Sequence, residues 1–365
     1  MSRPLRVVVA GTAFGRIYLD AVRSAPESFV LTGILAKGSD FSRALAARYD
    51  VPLHTDPAEV TEADVVCVVV RSGATGGPGS DLAGAFLRRG IHVLQEHPVH
   101  AEEIAANLRT AREADAAYSV HTLYPDLAPV RRFLVAARAL RPVGGLAFLD
   151  AACNSQVAYP LLDVLGRAAG TLRPWAFGAP QPVDETVAGA CAGEQPFRTL
   201  HAAIGGVPVT LRVQNQVHPE DPDNHSHLLH RISAGSDAGV VTLADTHGPV
   251  LWHPRLHSPR DHTGRLVLAG PGTERLGVPS TSALGPEPGT YHEVFSRLWP
   301  GAVRAALRRF AGDIREPRRR VHSGQWALSV SRAWADLTAV LGIPELIRPA
   351  EPPVLSLGRL ADEPV

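Results

Sequence analysis

Two ionisable side chains, Glu96 and His97, follow the largely apolar run Ile91–Leu94 after one residue, Gln95, and Pro98 stiffens the chain after them. An apolar run of this kind is typical of a buried strand. Ligands of parallel α/β sheets bind at the carboxyl ends of the strands. Because an imidazole titrates near neutral pH, His97 is the first candidate for a side chain that donates a proton to a substrate.

Tyr124 is the second candidate proton donor, because it follows the next strand-like run and a phenol is protonated at neutral pH. Both residues also have a purely structural alternative. His97 could only fix the turn before Pro98, and Tyr124 could only pack between domains. We expect Glu96 to organise this turn or to contact the ribose of a bound cofactor, rather than to act as an acid.

The elements that must position these side chains alternate along the first third of the chain. Strand-like runs lie at 5–11, 30–36, 64–70, 91–96 and 117–123, and helical patterns lie at 17–25, 42–50, 82–90 and 102–116. Strands that are apolar on both faces, separated by amphipathic helices, indicate a doubly wound parallel sheet. The fold class predicted for residues 1–124 is therefore an α/β Rossmann domain.

The pattern changes over residues 125–365. Helical patterns lie at 128–140 and 157–169, and strand patterns lie at 145–153, 197–204, 207–217, 226–234, 239–245, 249–253 and 264–269. This predicts an α+β domain with an open, mostly antiparallel sheet covered by helices on one face. Residues 270–300, rich in Gly and Pro, are expected to form a long loop. Helices are predicted at 302–314 and 323–341, and the second can pack back on the first domain.

The first strand-to-helix turn is a candidate dinucleotide site. Glycine in such a turn lets the backbone approach a pyrophosphate, which sits at the helix N-terminus. The turn departs from the usual GxGxxG spacing, because Ala13 stands at the second glycine and Gly15 comes one residue early. The alternative is an ordinary βα turn. The cofactor-binding residues predicted here are Gly11, Thr12, Ala13 and Phe14.

The end of the second strand favours NADPH over NADH. NAD enzymes usually carry an acid there that binds the ribose 2′-hydroxyl. Here the chain supplies hydroxyl and cationic groups that suit a 2′-phosphate, although Lys37 and Arg43 could also be plain solvated surface. The predicted residues are Lys37, Gly38, Ser39, Ser42 and Arg43, with Glu96 on the nicotinamide side. Arg71, after the strand-like run 64–70, either contacts the cofactor or caps the strand.

Composition excludes several classes of function. The 36 basic and 36 acidic residues give a net charge of zero, which argues against nucleic acid or a membrane surface as the main partner. No apolar run reaches the ~18 residues of a membrane span, and the chain starts directly with a strand, so we expect a cytoplasmic protein. His225 and His227 would share a strand face, but the loop-like residues around them favour no metal site.

Five segments together resemble one known family. GTAFGRIYL, LAKGS, VVRSGATGG, GIHVLQEHP and HTLYP are similar to segments of the thiazolinyl imine reductases of siderophore and nonribosomal peptide pathways. These enzymes form a branch of the Gfo/Idh/MocA oxidoreductase superfamily, and the resemblance is strongest over residues 5–170. It implies NADPH-dependent reduction of a thiazoline C=N bond to a thiazolidine, on a thioester intermediate bound to a synthetase carrier protein. It also implies His97 and Tyr124 as the candidate proton donors.

The chain departs from the sugar-oxidising members of that superfamily. Those members carry Glu-Lys-Pro where this chain has Glu-His-Pro, and Lys37, the only lysine, lies on the cofactor side. Asp163 matches the acid of their Asp/His pair, but Pro160 replaces the histidine. Tyr159 and Asp163 are predicted substrate contacts.

Three further expectations stay open. A different oxidoreductase of this superfamily, acting on a sugar or another cyclic imine, is the first alternative activity, and a non-catalytic NADP-binding sensor is the second. We expect a homo-oligomer, most simply a dimer, formed through the open sheet. The basic run Arg315–Arg320 is either a solvated helix boundary or a docking patch for an acidic carrier protein.

Overall fold

The first part of the computed structural model is a six-stranded parallel sheet with the order β3-β2-β1-β4-β5-β6. The structure describes residues 3–70, 76–221 and 224–361. The strands are β1 Leu5–Ala10, β2 Phe29–Leu35, β3 Leu53–His54, β4 Val65–Val68, β5 His92–Glu96 and β6 Tyr118–His121. The helices between them are α1 Gly15–Arg23, α2 Asp40–Tyr49, α3 Pro78–Arg88 and α4 Ala101–Glu113.

The central strands of this sheet are buried on both faces. All four residues of β4 are buried, as are the last four of β1. A strand that is apolar on both sides is stable only when helices cover both faces of its sheet, which is the doubly wound arrangement. The Rossmann fold predicted from the sequence is confirmed.

The second part is an eight-stranded sheet with the order β15-β14-β13-β12-β7-β10-β9-β8. Its strands are β7 Phe148–Asn154, β8 Trp175–Phe177, β9 Phe197–Ile204, β10 Val207–Gln214, β12 His230–Ser236, β13 Gly239–Leu243, β14 Val250–Pro254 and β15 Ser282–Ala283. Only the β7–β10 pair is parallel, so the predicted mostly antiparallel sheet is confirmed.

Helices and one small ribbon complete the described chain. The ribbon pairs β11 Gln216–Val217 with β16 Glu345–Leu346. The helices are α5 Ala128–Leu140, α6 Ala158–Ala169, α7 Glu185–Ala190, α8 Tyr291–Glu293, α9 Trp299–Arg315, α10 Pro317–Leu341 and α11 Leu357–Ala361. None of the helices in the described ranges is both long and apolar enough to cross a bilayer.

Several predicted boundaries were wrong. The stretch 264–269 is not a strand, because its only pairing is an isolated bridge between Leu266 and Arg260, and it lies on the exposed surface. The stretch 270–300 is not one loop, since a helical segment begins at Tyr291 and runs into α9. Helix α10 starts at Pro317 rather than at 323, because proline suits a first helical turn.

Helix α10 returns from the second sheet to cover the edge of the first. Arg320 pairs with Asp115, beyond the end of α4, at 2.9 Å, and the hydroxyl of Ser331 donates to the carbonyl of Val99 at 2.7 Å. Gly324 permits a close contact, because an added Cβ would lie 2.8 Å from a methyl carbon of Leu108. The C-terminal part of the chain therefore packs against α4 and the edge strand β6.

Gly11 provides a test of how tightly the first turn is built. Its φ is +101°, and an added Cβ would lie 2.2 Å from the carbonyl oxygen of Val69. We expect Gly11→Ala to lower the free energy of unfolding by at least about 2 kcal/mol, because a left-handed conformation and a backbone clash act together. Urea denaturation followed by circular dichroism measures this loss.

Gly206→Ala is the matched control for this prediction. Gly206 also has a positive φ, +81°, but an added Cβ would meet no atom within 4 Å. Its loss should be about 1 kcal/mol, the cost of the backbone conformation alone. Equal losses in the two variants would show that the contact with Val69 does not matter.

Candidate active site

A buried carboxylate and an imidazole lie side by side at the carboxyl end of β5. The Oε1 atom of Glu96 lies 2.9 Å from Nδ1 of His97. The same Nδ1 lies 3.2 Å from the carbonyl oxygen of His121, so both of its partners are acceptors. Nδ1 must therefore carry a hydrogen, which leaves Nε2 as the nitrogen that can exchange a proton with a substrate.

The second oxygen of Glu96 binds two further residues. It accepts a short hydrogen bond from the hydroxyl of Tyr18, on α1, and lies 3.5 Å from Nδ1 of His121. Burial raises the pKa of the Glu96 carboxyl, but hydrogen bonds from His121 and His97 outweigh it and hold the pKa at about 2. Glu96 is therefore ionised at neutral pH, and a general acid at this position must be another residue.

His121 extends this contact into a buried charged network. Its Nδ1 lies 2.6 Å from the Tyr18 hydroxyl, and its Nε2 lies 3.5 Å from Oδ2 of Asp126. Arg309, on α9, binds both oxygens of Asp126. Burial lowers the pKa of His121, but the nearby carboxylates of Asp126 and Glu96 raise it by more, so the net shift is upward.

Aromatic rings enclose the side chain of His97. The ring of Tyr159 stacks on it with centroids 5.7 Å apart and an angle of 28° between planes. The ring of Tyr124 meets it edge-on, with centroids 6.4 Å apart. The structure therefore brings together both proton-donor candidates and one predicted substrate contact.

A strained turn places Tyr124. Leu123 has φ +59° and ψ −57°, and the backbone N–H of Tyr124 donates to the carbonyl of Thr122 at 2.6 Å. This geometry is a γ-turn that non-glycine residues rarely adopt. Leu123 is 1% exposed, so its packing in the core stabilises the turn. Strain of this kind is concentrated at functional sites.

His230 belongs to this cluster, and the sequence interpretation missed it. Its ring lies 4.6 Å from that of Tyr124, and its Nε2 lies 2.8 Å from the carbonyl of Val157. Nε2 must then carry the hydrogen, and Nδ1 is a buried acceptor that lacks a partner among the described residues. Burial lowers the pKa of His230 to about 4, so the ring is neutral.

The neighbouring histidines of the 218–230 stretch have other contacts. Nε2 of His225 lies 3.0 Å from the carbonyl of Gln216, and the side chain is buried rather than on a surface loop. Within the described ranges, no group of three or more His, Cys, Asp or Glu is arranged to hold a metal ion.

The two predicted substrate contacts differ in their surroundings. Tyr159 contacts His97 directly, as described above. The carboxylate of Asp163 is occupied by other groups: it accepts hydrogen bonds from Thr122 at 2.5 Å, Arg167 at 2.6 Å and Trp326 at 2.7 Å. Through these contacts Asp163, on α6, binds residues at the end of β6 and on α10. A contact between Asp163 and a substrate stays a prediction.

The turn after β1 fits a dinucleotide phosphate group. Helix α1 has no side-chain cap at its N-terminus and no acidic residue in its first turn, so its first N–H groups can bind an anion. Gly15 lets the helix lie close to β1, because an added Cβ would meet Val9 at 3.3 Å. Thr12 is partly buried, Ala13 is exposed, and Phe14 packs against Trp299 with ring centroids 5.5 Å apart.

The residues predicted to bind a 2′-phosphate separate into two groups. Lys37 is exposed at the end of β2, beside Gly38. Ser39 instead caps α2 by accepting the N–H of Ser42, whose own hydroxyl is buried and donates to the Ser39 carbonyl. Arg43 is exposed but pairs with Asp40 at 2.6 Å. Lys37 is therefore the cation of this group without a described ion-pair partner. Arg71 lies outside the described residues.

Two family models match the chain. Residues 5–122 match the model described as "Oxidoreductase family, NAD-binding Rossmann fold", which is that of Gfo/Idh/MocA proteins. Residues 146–253 match the model described as "Thiazolinyl imine reductase Irp3-like, C-terminal". Together the two matches cover more than half of the chain. No curated protein matches it.

Solved structures with the same fold are distant in sequence. GenD2 from gentamicin A biosynthesis, in complex with NAD, is 13% identical with a TM-score of 0.63, over 92% of this chain and 93% of that one. KijD10, a 3-ketoreductase from Actinomadura kijaniata in complex with TDP-benzene and NADP, is 15% identical with a TM-score of 0.63, over 94% and 100%. At these identities the likeness shows the fold.

The raised pKa of His121 predicts a pH dependence of stability. In the unfolded chain the imidazole titrates near ~6.5. The stabilisation from its charged form is complete below that pH and is lost as pH rises through the higher folded value. We expect the difference in unfolding free energy between wild type and His121→Asn to shrink as pH rises above about 6.5, measured by urea denaturation. A difference for His121→Asn that stays constant over this range would contradict the network.

Proposed function

The chain belongs to the Gfo/Idh/MocA oxidoreductase superfamily, in its Irp3-like branch, and we propose that it is an NADPH-dependent thiazolinyl imine reductase. The substrate would be a thiazoline in an intermediate bound to the carrier protein of a nonribosomal peptide synthetase. The observation that carries this proposal is the pairing of His97 with the ionised Glu96 at the carboxyl end of β5.

His97 would protonate the ring nitrogen of the thiazoline. In its charged form the imidazole has Nδ1–H bound by Glu96 and the His121 carbonyl, and Nε2–H free to donate. After transfer the neutral ring keeps its Nδ1 hydrogen and both partners. Bound NADPH supplies the hydride that the imine carbon receives. One hydride and one proton together convert the C=N bond into a CH–NH bond.

Tyr124 is the second proton donor that this site offers. Its ring lies between those of His97 and His230, at 6.4 Å and 4.6 Å. The unprotonated Nδ1 of His230 can accept a hydrogen bond from the Tyr124 hydroxyl or from the reduced ring N–H. His230 would then orient the substrate rather than protonate it, since its pKa of about 4 keeps it neutral.

Sugar oxidation, the main alternative, is less consistent with these residues. A sugar hydroxyl must lose a proton to a base, and the superfamily position for a lysine holds His97. Pro160 replaces the histidine of the second domain. A non-catalytic NADP sensor would not need the strained turn that places Tyr124. Cytoplasmic location and a dimer stay predictions from the sequence.

The proton-donor assignment is tested by substitution. We expect His97→Ala to lower kcat by about 10²- to 10⁴-fold and Tyr124→Phe by about tenfold, because general-acid catalysis contributes on this scale. The assay follows NADPH oxidation with a thiazolinyl thioester surrogate. His253→Ala, on β14, serves as the control and should keep wild-type activity.

Two results would count against this proposal at different levels. Wild-type protein that does not turn over the surrogate would defeat the proposed activity. Full activity in both His97→Ala and Tyr124→Phe would leave the activity in place and overturn the choice of proton donor.

Cofactor preference is tested at the only lysine. We expect Lys37→Ala to raise KM for NADPH at least tenfold and to leave KM for NADH unchanged, because the lost contact is to the 2′-phosphate alone. Steady-state kinetics with each cofactor measures both values. Arg48→Ala, at the far end of α2, is the control. A parallel change for NADPH and NADH would place Lys37 outside the 2′-phosphate site.

A further inference from the structure

A cavity lies between the edge strand β6 and helices α5, α6, α9 and α10, apart from the turn that is expected to bind the cofactor. Its volume is about 530 Å³, within the usual range for small-molecule sites. Its described lining contains two aspartates, Asp163 and Asp313, and six arginines: Arg138, Arg141, Arg167, Arg309, Arg318 and Arg319. The lining therefore has a strong excess of positive charge.

Three of these arginines already have acidic partners. Arg167 pairs with Asp163 at 2.6 Å, Arg319 pairs with Asp313 at 3.1 Å, and Arg309 binds Asp126. Their charges are largely neutralised and need no ligand.

Arg138, Arg141 and Arg318 differ, because none has a side-chain hydrogen bond or ion pair within the described part of the chain. The Nε atom of Arg141 is buried without a hydrogen-bond partner. A buried donor left in this state is costly unless a ligand or water binds it.

The dipoles of the helices stabilise one of these arginines and destabilise others. Arg138 lies in the last turn of α5, where a cation is favourable. Arg318 and Arg319 lie in the first turn of α10, where a cation opposes the dipole, and Glu316 at the N-cap, 3.6 Å from Arg319, offsets only part of that cost. Several positive side chains thus face the same cavity, and an anion bound there would stabilise them.

Another part of the cavity lining is less polar. Tyr159, Trp326, Ala327 and Val330 line it, and the indole N–H of Trp326 is already bound to Asp163. A ligand that fills the whole cavity needs an anionic group at the arginines and an uncharged part at these rings. Arginine guanidinium groups match the oxygens of a phosphate group.

We propose that this cavity binds a phosphate ester, with the phosphate held by Arg138, Arg141 and Arg318 and the uncharged part against Trp326 and Tyr159. The site is separate from the cofactor turn, and its existence does not depend on the proposed reductase activity. Because Tyr159 stacks on His97 at 5.7 Å, a ligand in the cavity lies one ring away from the proton donor.

The test is calorimetric titration of phenyl phosphate into the protein saturated with NADP⁺, which fills the cofactor site first. We expect one saturable site. Arg318→Ala and Arg141→Ala should each weaken binding at least tenfold, and Trp326→Phe should weaken phenyl phosphate more than inorganic phosphate. Arg318 is exposed and unpaired, so its loss should leave the fold intact, as circular dichroism can verify. Arg255→Ala, an exposed arginine paired only with Asp237, is the control and should bind as wild type does.

A second titration distinguishes two sources of the phosphate ester. A free phosphorylated small molecule is a doubly charged monoester, whereas an arm attached to a protein through phosphate is a singly charged diester. Phenyl phosphate binding at least tenfold tighter than methyl phenyl phosphate supports a free ligand, and equal affinities support an attached arm. No saturable binding by the wild type, or equal affinity in wild type, Arg141→Ala and Arg318→Ala, would overturn the site.

Discussion

The buried carboxylate of Glu96 is the interaction on which the rest of the site depends. An ionised carboxylate in a protein interior is strongly unfavourable unless charges and hydrogen bonds surround it. Here His97, Tyr18 and His121 supply those partners from the end of β5, from α1 and from the end of β6. The same contacts orient the His97 ring, because Nδ1 cannot leave Glu96 without taking from Oε1 of a buried carboxylate its contact with His97. The position of the candidate donor and the ring nitrogen that it presents therefore follow from one buried charge.

This network also connects the two sheets of the molecule. Asp126 lies just before α5, and Arg309 comes from α9, which follows the second sheet. A well-packed apolar contact could hold these elements together equally well, so the network is weak evidence for stability as such. The network instead constrains the positions of β5, β6 and α9, because its ion pairs form only when these elements lie in this arrangement. Tyr124, which lies between His121 and Asp126 in the chain, is fixed in the same arrangement.

Sequence periodicity predicted the first sheet well and the site only in part. The apolar runs of β1, β4 and β5 are long enough to be recognised, and the Glu96–His97 pair marks the end of its strand. His230 could not be found this way, because only the pairing of β12 with β7 brings it near Tyr124. Ser42 was expected at the cofactor because of its residue type, but a local helix cap uses its hydroxyl. Such competition between a ligand and the backbone for the same polar group is not visible in residue spacing.

The exposure of Lys37 has a practical consequence for work on this protein. It is the only lysine in the chain, and it stands at the end of β2, beside the turn expected to hold the cofactor ribose. A reagent that acylates amines can therefore modify only this side chain and the N-terminal amine. A fluorophore or crosslinker introduced in this way would report on one known position without any cysteine engineering. Because the sequence contains one lysine, the unaltered protein can be labelled at one known side chain.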